Sequence, residues 1–255
     1  MRENRVGDDW NRHWRDYSAA AEKNPAQSYR RELVFSLLGL GDAGKDARIL
    51  DIGSGQGDMA AAILSRFPQA QVLGLELSRS GVEISKKKVP GARFVQRDLL
   101  DHSQPAPELR GWATHAVCSE VIEHVDHPSR LLENARSYLA QGGLLVLTAP
   151  GGPMSAFDKH IGHRKHWIDS EIASVLAHAG FQPERISGAG FPFFNLYRCV
   201  VILRGAKLIE DVRTQPDGAG SFGARTAMAV FHQLIRKNLN STRRGWQMIA
   251  TARSS

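Results

Sequence analysis

The sequence predicts an α/β fold, a doubly wound and mostly parallel sheet led by an N-terminal helical cap. Three observations carry that expectation. From Arg48 onward, short apolar runs alternate with segments of helical periodicity, the pattern of a parallel sheet covered on both faces. The first run, Ile49-Leu50-Asp51-Ile52, breaks into glycines at Gly53, Gly55 and Gly57, which reads as strand, tight turn and helix. Carboxylates then stand at Asp51, Glu76 and Asp98, at the strand ends where open α/β sheets bind ligands.

In chain order, residues 1–44 read as the cap. Trp10, Trp14 and Tyr17 recur at helical spacing, Asn24-Pro25 punctuates, and Tyr29, Leu33, Val34, Leu37 and Leu38 form an apolar stripe that Gly39, Gly41 and Gly44 end. Pro25 suits a first helical turn. Residues 45–255 read as the main domain. Strands are expected at 48–52, 71–77, 93–96, 115–119, 143–148, 181–187 and 245–252, and helices at 58–67, 79–87, 128–139 and 169–178. Residues 190–240 break the alternation and read as a lid or insertion on the substrate side, with a polar, glycine-rich loop at 215–223 and a helix at 224–238.

Composition narrows the class of protein. The chain has 255 residues, 42% of them hydrophobic and 23% charged, ordinary for a globular domain that buries a core. Its net charge of +7 permits attraction to nucleic acid, anionic lipid or an acidic substrate without choosing among them. Cys118 and Cys199 form no metal or redox spacing and read as free thiols. The first residues hold no apolar run of the signal-peptide type, and no stretch is long and apolar enough to cross a bilayer, so the expected location is cytoplasmic.

The glycine turn carries the chemistry. Glycine is needed where the backbone takes positive φ and lets a ligand approach with no Cβ in the way. A dinucleotide fold wants G-x-G-x-x-G, whereas the spacing here is G-x-G-x-G preceded by Asp51. That pattern, with Glu76 and Asp98, resembles class I S-adenosylmethionine-dependent methyltransferases over residues 48–181. The resemblance implies a Rossmann-like sheet of seven strands, the last inserted antiparallel, and S-adenosyl-L-methionine as cofactor. It further implies that Asp51, Gly53, Ser54, Gly55 and Gly57 cradle the methionine and sugar. Glu76 would hold the ribose, Leu77 would flank the adenine, and Asp98 with Leu99 would bind its edge. Ser119, at the end of the fourth strand, joins this set. The lead-in NPAQSYRR resembles the Asn-Pro entry of ubiquinone-type enzymes, which makes Tyr29 or Arg30 a lid contact to the cofactor; Gln27 stands where a basic residue is common.

On the acceptor side, Ser119 to Pro128 read SEVIEHVDHP. Glu120, Glu123 and His124 become neighbours if the chain turns helically there. The segment DKHIGHRKHW adds His160, His163 and His166. EVIEHV resembles the signature of ubiquinone-pathway O-methyltransferases and of small-RNA 2′-O-methyltransferases, in which two Glu, a His and a later His bind magnesium. By that resemblance Glu120, Glu123, His124 and His163 would hold Mg²⁺ or another divalent ion, with His160 and His166 as alternatives for the last place. Without a metal, His124 or His163 would act as general base, the carboxylates would cap helix ends, and some histidines of the Gly162–Trp167 block would be structural.

The expected function is methylation of a hydroxyl on a small-molecule acceptor, phenolic, sugar or lipid-linked. The alternatives are metal-assisted 2′-O-methylation of RNA and a non-catalytic cofactor-binding protein. Against RNA stand the absence of a separate binding module and of a basic stripe with interleaved aromatics. The apolar stretch at 191–208, interrupted by Arg198, Arg204 and Lys207, has four readings: core helix, acceptor lid, homodimer surface, or amphipathic patch on an anionic membrane.

Overall fold

The computed structural model describes residues 25–41, 44–102, 104–214, 231 and 233–255. The helix expected around Trp10, Trp14 and Tyr17, the loop at 215–223 and most of the helix expected at 224–238 lie outside them.

Among the described residues the strands are β1 (Arg48–Ile52), β2 (Gln71–Glu76), β3 (Arg93–Gln96), β4 (Ala113–Ser119), β5 (Leu139–Pro150), β6 (Phe181–Ala189) and β7 (Gln247–Ser254). The helices are α1 (Pro25–Leu38), α2 (Asp58–Arg66), α3 (Arg79–Lys88), α4 (Pro128–Arg136), α5 (Ala156–His160), α6 (Asp169–His178) and α7 (Phe193–Thr214). The strands form one seven-stranded sheet in the order β3-β2-β1-β4-β5-β7-β6. β1 through β5 pair in parallel, and β7 lies antiparallel between β5 and β6. The doubly wound expectation and the inverted last strand are both met.

Strand alternation assigns the two faces. Ile49, Val72, Val117 and Val146 point to one side and bury Val34 and Leu38 of α1, Ala60 and Ile63 of α2, and Val82 of α3. Leu50, Leu73, Ala116 and Leu145 point to the other and meet Leu131 and Leu132 of α4 and Ile172 and Leu176 of α6. α1 is thus one of the helices on the first face, anchored by its last two turns. Its first turns join a third cluster, in which Ala26, Tyr29 and Leu33 pack on Ala189, Phe194, Ile235 and Ile249.

Local chemistry explains several boundaries. Ser78 caps α3, its hydroxyl accepting from the Gly81 amide at 3.1 Å. Ser155 and Asp158 form a reciprocal capping box that starts α5. That one-turn helix lies in the histidine-rich segment, where no periodicity announces it.

Candidate functional site

The glycine turn is stapled to the end of β2. The Gly53 and Ser54 amides donate to the Leu75 carbonyl at 2.9 and 3.0 Å, and the Gly55 amide donates to Glu76 Oε2 at 2.9 Å. Glu76 Oε1 accepts from the Ser78 amide at 2.8 Å, so the carboxylate is fixed where the turn and the start of α3 meet. Gly53, Gly55 and Gly57 have φ of 68°, 53° and 86°. At Gly53 an added Cβ would lie 2.7 Å from Val121 Cγ2. Glycine therefore serves close packing there as well as the left-handed backbone, and this contact sets the turn directly against the loop after β4.

Beneath the turn, Asp51 is 2% exposed and its Oδ2 has no hydrogen-bond partner. Burial, with the charges of Glu76 and Asp58, pushes its carboxyl up to about 7. Ser54 Oγ is likewise buried without a partner. Polar atoms left unsatisfied beside a glycine-rich loop fit a ligand that brings both a cation and hydrogen-bonding groups. S-adenosyl-L-methionine, with its ammonium and ribose, has that chemistry.

The other expected cofactor contacts divide. Leu77 is exposed just past β2 and free to flank a ring. Asp98 Oδ1 accepts from the Leu100 amide at 2.8 Å, which fixes the turn after β3. Leu99 is buried in the core and its carbonyl accepts from Asn134 Nδ2 at 2.7 Å, so neither that side chain nor that carbonyl is presented to a ligand. Ser119 Oγ lies 2.9 Å from Thr148 Oγ1, tying β4 to β5. Tyr29 departs from the lid reading. It is buried against Phe194, its ring centroid 5.4 Å away, and its hydroxyl donates to Asn240 Oδ1 at 2.7 Å.

The loop after β4 differs from the expected helical turn. Glu120 takes a left-handed φ of 56°, and only Ile122–His124 form a single 3-10 turn. Glu120 and Glu123 therefore diverge. Glu120 Oε2 pairs with Arg30 Nε at 3.0 Å, while its Oε1 accepts from Gln247 Nε2 at 2.8 Å and Thr148 Oγ1 at 3.1 Å. Arg30 thus neutralises an acid in the site, an ion pair that sequence spacing could not show across 90 positions.

Glu123 instead turns inward. It is fully buried, and neither carboxylate oxygen has a hydrogen-bond partner. Burial, reinforced by Glu120 and only partly opposed by Arg30, pushes its carboxyl well above the usual range. His124 Nε2 lies 4.0 Å from Glu123 Oε1, and the His124 and His163 rings meet edge to face at 4.8 Å. Among the described residues, ligating atoms of Glu123, His124 and His163 lie within 4.8 Å of one another. The set fits a divalent cation in its donors, one carboxylate and two imidazoles. It lacks Glu120, so the four-residue set is not assembled: Arg30 draws that carboxylate away.

His160 is exposed and in neither ligand group, whereas His166 joins His163 and Asp158 in a second one. His166 Nδ1 lies 3.0 Å from the Gly152 carbonyl. A carbonyl only accepts, so His166 carries its proton on Nδ1 and, when neutral, offers Nε2 as acceptor. His163 Nδ1 stands 3.4 Å from that Nε2. The arrangement places the His163 proton on Nδ1 and leaves its Nε2 lone pair available. Burial first, then the neighbouring His124, lowers the His163 imidazole to about 3, so it is neutral near pH 7.

Asp158 closes the cluster from below. Burial disfavours its charge, but a two-point hydrogen bond from Arg198 at 3.1 and 2.7 Å and donors from Ser155 hold it down to about 2. Sequence reasoning missed Asp158 and Arg198. The S-x-x-D spacing of the capping box was the available signal for the first.

Residues 21–186 match the model of a family described as a methyltransferase domain. A trans-aconitate 2-methyltransferase of Acidovorax sp. (strain JS42) is 32% identical over 138 residues, 52% of this chain and 49% of that protein. A malonyl-[acyl-carrier protein] O-methyltransferase of Halalkalibacterium halodurans is 31% identical over 115 residues, 44% of this chain and 42% of that protein. The matches thus span about half the length of these curated relatives. A phosphoethanolamine N-methyltransferase 2 of Haemonchus contortus, solved with S-adenosyl-L-methionine, superposes with a TM-score of 0.59 at 17% identity, covering 91% of this chain and 53% of that one. That similarity speaks for the fold.

Proposed function

The chain belongs to the methyltransferase domain family, the class I S-adenosylmethionine-dependent methyltransferases, and on that premise we propose that it methylates a hydroxyl of a small-molecule acceptor. One observation carries the reading: the glycine turn touches the very loop that presents Glu123 and His124 toward His163. The cofactor, when bound, supplies a methyl group already activated on a sulfonium. The protein then has to hold the acceptor in line and take up a proton.

The residues divide that work. Gly53, Ser54, Gly55 and Gly57 shape the cradle, Asp51 meets a cationic group, and Glu76 is positioned for a ribose. His124 and His163 face the acceptor with imidazole nitrogens, and His166 fixes the tautomer of His163 through the Gly152 carbonyl. Glu123 backs His124 from the buried side, its Oε1 4.0 Å from His124 Nε2.

The relatives' names specify a tricarboxylate and a malonyl group, and both offer carboxylates. A hydroxyl fits this chain better. Arg30 is committed to Glu120 and Arg198 to Asp158, so among the described residues these site cations are already neutralised. A hydroxyl needs the imidazoles, whereas a carboxylate does not.

The test begins with calorimetry. Wild-type protein should bind S-adenosyl-L-methionine and a Gly55→Arg variant should not; equal binding by both would remove the cofactor reading. With an acceptor identified from a screen of phenols, sugars and carboxylic acids, His124→Gln and His163→Gln should each lower kcat by about 10²–10⁴. Undiminished turnover in both, or turnover on carboxylic acids alone, would sink the hydroxyl reading.

A second reading rests on the unpartnered oxygens of Glu123. Glu123, His124 and His163 would hold a divalent ion, which would supply Lewis-acid polarisation of the acceptor oxygen. Full activity after dialysis against a chelator would end this reading, and loss restored by Mg²⁺, Mn²⁺ or Zn²⁺ would support it.

A further inference from the structure

We propose that the outer face of α7, with the segment at 236–244, docks this protein on an anionic phospholipid bilayer. The first half of α7, up to the break at Gly205 where φ is 34° and ψ −108°, carries two stripes. Phe194, Arg198 and Val201 form the inward one: Phe194 and Val201 are buried, and Arg198 reaches Asp158. Leu196, Val200 and Leu203 form the outward one, two residues out of phase and so on the opposite side of a helix with 3.6 residues per turn. These three are 51%, 39% and 85% exposed. Exposed aliphatics at helical spacing mark a contact surface rather than chance. Their dominance over aromatics suits acyl chains better than nucleic-acid bases.

The segment at 236–244 is joined to the start of this helix. The Leu239 amide donates to the Phe191 carbonyl at 2.8 Å, and the Gly190 amide donates to the Leu239 carbonyl at 2.9 Å. Asn195 Nδ2 donates to the Arg244 carbonyl at 2.7 Å, and Asn238 Oδ1 accepts from the Phe193 amide at 2.9 Å. This brings exposed Leu239, 56% open, to the same corner of the molecule. It also brings Arg236, Lys237, Arg243 and Arg244, all exposed, with Arg204 beside Leu203 on the helix itself.

Charge selects the partner. No Asp or Glu occurs between Glu184 and Glu210 or after Asp217, so the strands of chain that build this corner contribute cations alone. Among the described residues Arg236, Lys237 and Arg243 form no ion pair. An aliphatic stripe rimmed by basic side chains is the composition of an interfacial anchor, with the leucines entering the acyl boundary and the cations meeting phosphate headgroups. No helix among the described residues is long and apolar enough to cross a membrane, so the contact would be peripheral.

The test is co-sedimentation of the full chain with vesicles of phosphatidylcholine alone and of phosphatidylcholine mixed with phosphatidylglycerol. Binding should require phosphatidylglycerol and weaken with added salt. Removing Arg236 and Lys237 should lower the partition roughly fivefold per cation. A Leu196→Glu/Leu203→Glu variant should lose binding while its circular dichroism and its cofactor titration stay as in wild type. The proposal is overturned if that variant still pellets, or if binding ignores headgroup charge. It is equally overturned if the wild type is a dimer that the two substitutions dissociate, or if the chain binds RNA through these leucines and ignores vesicles.

Discussion

Asp51 illustrates how a residue can serve binding at the expense of stability. Its carboxyl stands at about 7 in the folded chain against 3.8 ordinarily. For an acid whose folded value is raised, stability is fully present below the unfolded value and is lost as pH climbs toward the folded one. The ligand-free protein should therefore lose stability between about pH 4 and pH 7, by at most about 4 kcal/mol from this group. Asp51→Asn should remove that dependence and raise the Tm of ligand-free protein at pH 8, while weakening S-adenosyl-L-methionine. Thermal melts against pH, paired with calorimetry, check both halves. A variant that is less stable at pH 8 would contradict the burial argument. At this scale the sequence was informative about which residues have chemistry and much less about which way they face. Asp51, Gly53 and Glu76 were legible because a strand end and a turn leave little freedom. Glu120 and Glu123 were not. Glu120 itself takes the left-handed backbone that turns the two apart, and Arg30, far off in the chain, claims its carboxylate.

The elements that carry the site lean on one another at few points. Gly53 meets Val121 so closely that a methyl group would lie 2.7 Å from Cγ2, on backbone already at positive φ. Gly53→Ala should cost about 1–3 kcal/mol of stability and weaken cofactor binding, read by denaturant melts and titration. Arg198 joins α7 to α5 through Asp158, whose side chain is 2% exposed. Arg198→Met leaves that carboxylate buried without its counter-charge and should cost about 3 kcal/mol or more. The Asp158→Asn/Arg198→Met double variant should recover part of the loss in a double-mutant cycle. Most helices and strands were readable from period and punctuation, within a residue or two. β5 begins four residues earlier than its apolar core, at Leu139, because that residue still pairs with Ala113 of β4 across a register shift. α5 was missed because a single capped turn has no period to show.

At the scale of the whole molecule, the cofactor cradle belongs to the folded chain and to no single segment of it: β1, β2 and the loop after β4 each contribute. Ligand binding should accordingly stabilise the fold as a unit. At a cofactor concentration of one hundred times Kd the gain is about 2.7 kcal/mol, which for a chain of this size raises Tm by about 5–10 °C. Differential scanning calorimetry with and without S-adenosyl-L-methionine checks it, and an unchanged Tm would deny binding to the native state. Strand order was the least legible feature from residues alone. Alternation predicts a parallel sheet, but only the resemblance announced that the last strand runs the other way.

That inverted strand has a consequence for how the chain is made. β6 touches the rest of the sheet only through β7, yet β7 is synthesised some sixty residues after it. On the ribosome, β1 through β5 can zip together as they emerge, while Phe181–Ala189 must wait with both edges open. β5 meanwhile shows a bare apolar edge, the kind of surface on which nascent chains aggregate or recruit holdases. The arrival of Gln247–Ser254 closes the edge of β5 and the inner edge of β6 in one step, so the sheet is completed late and all at once.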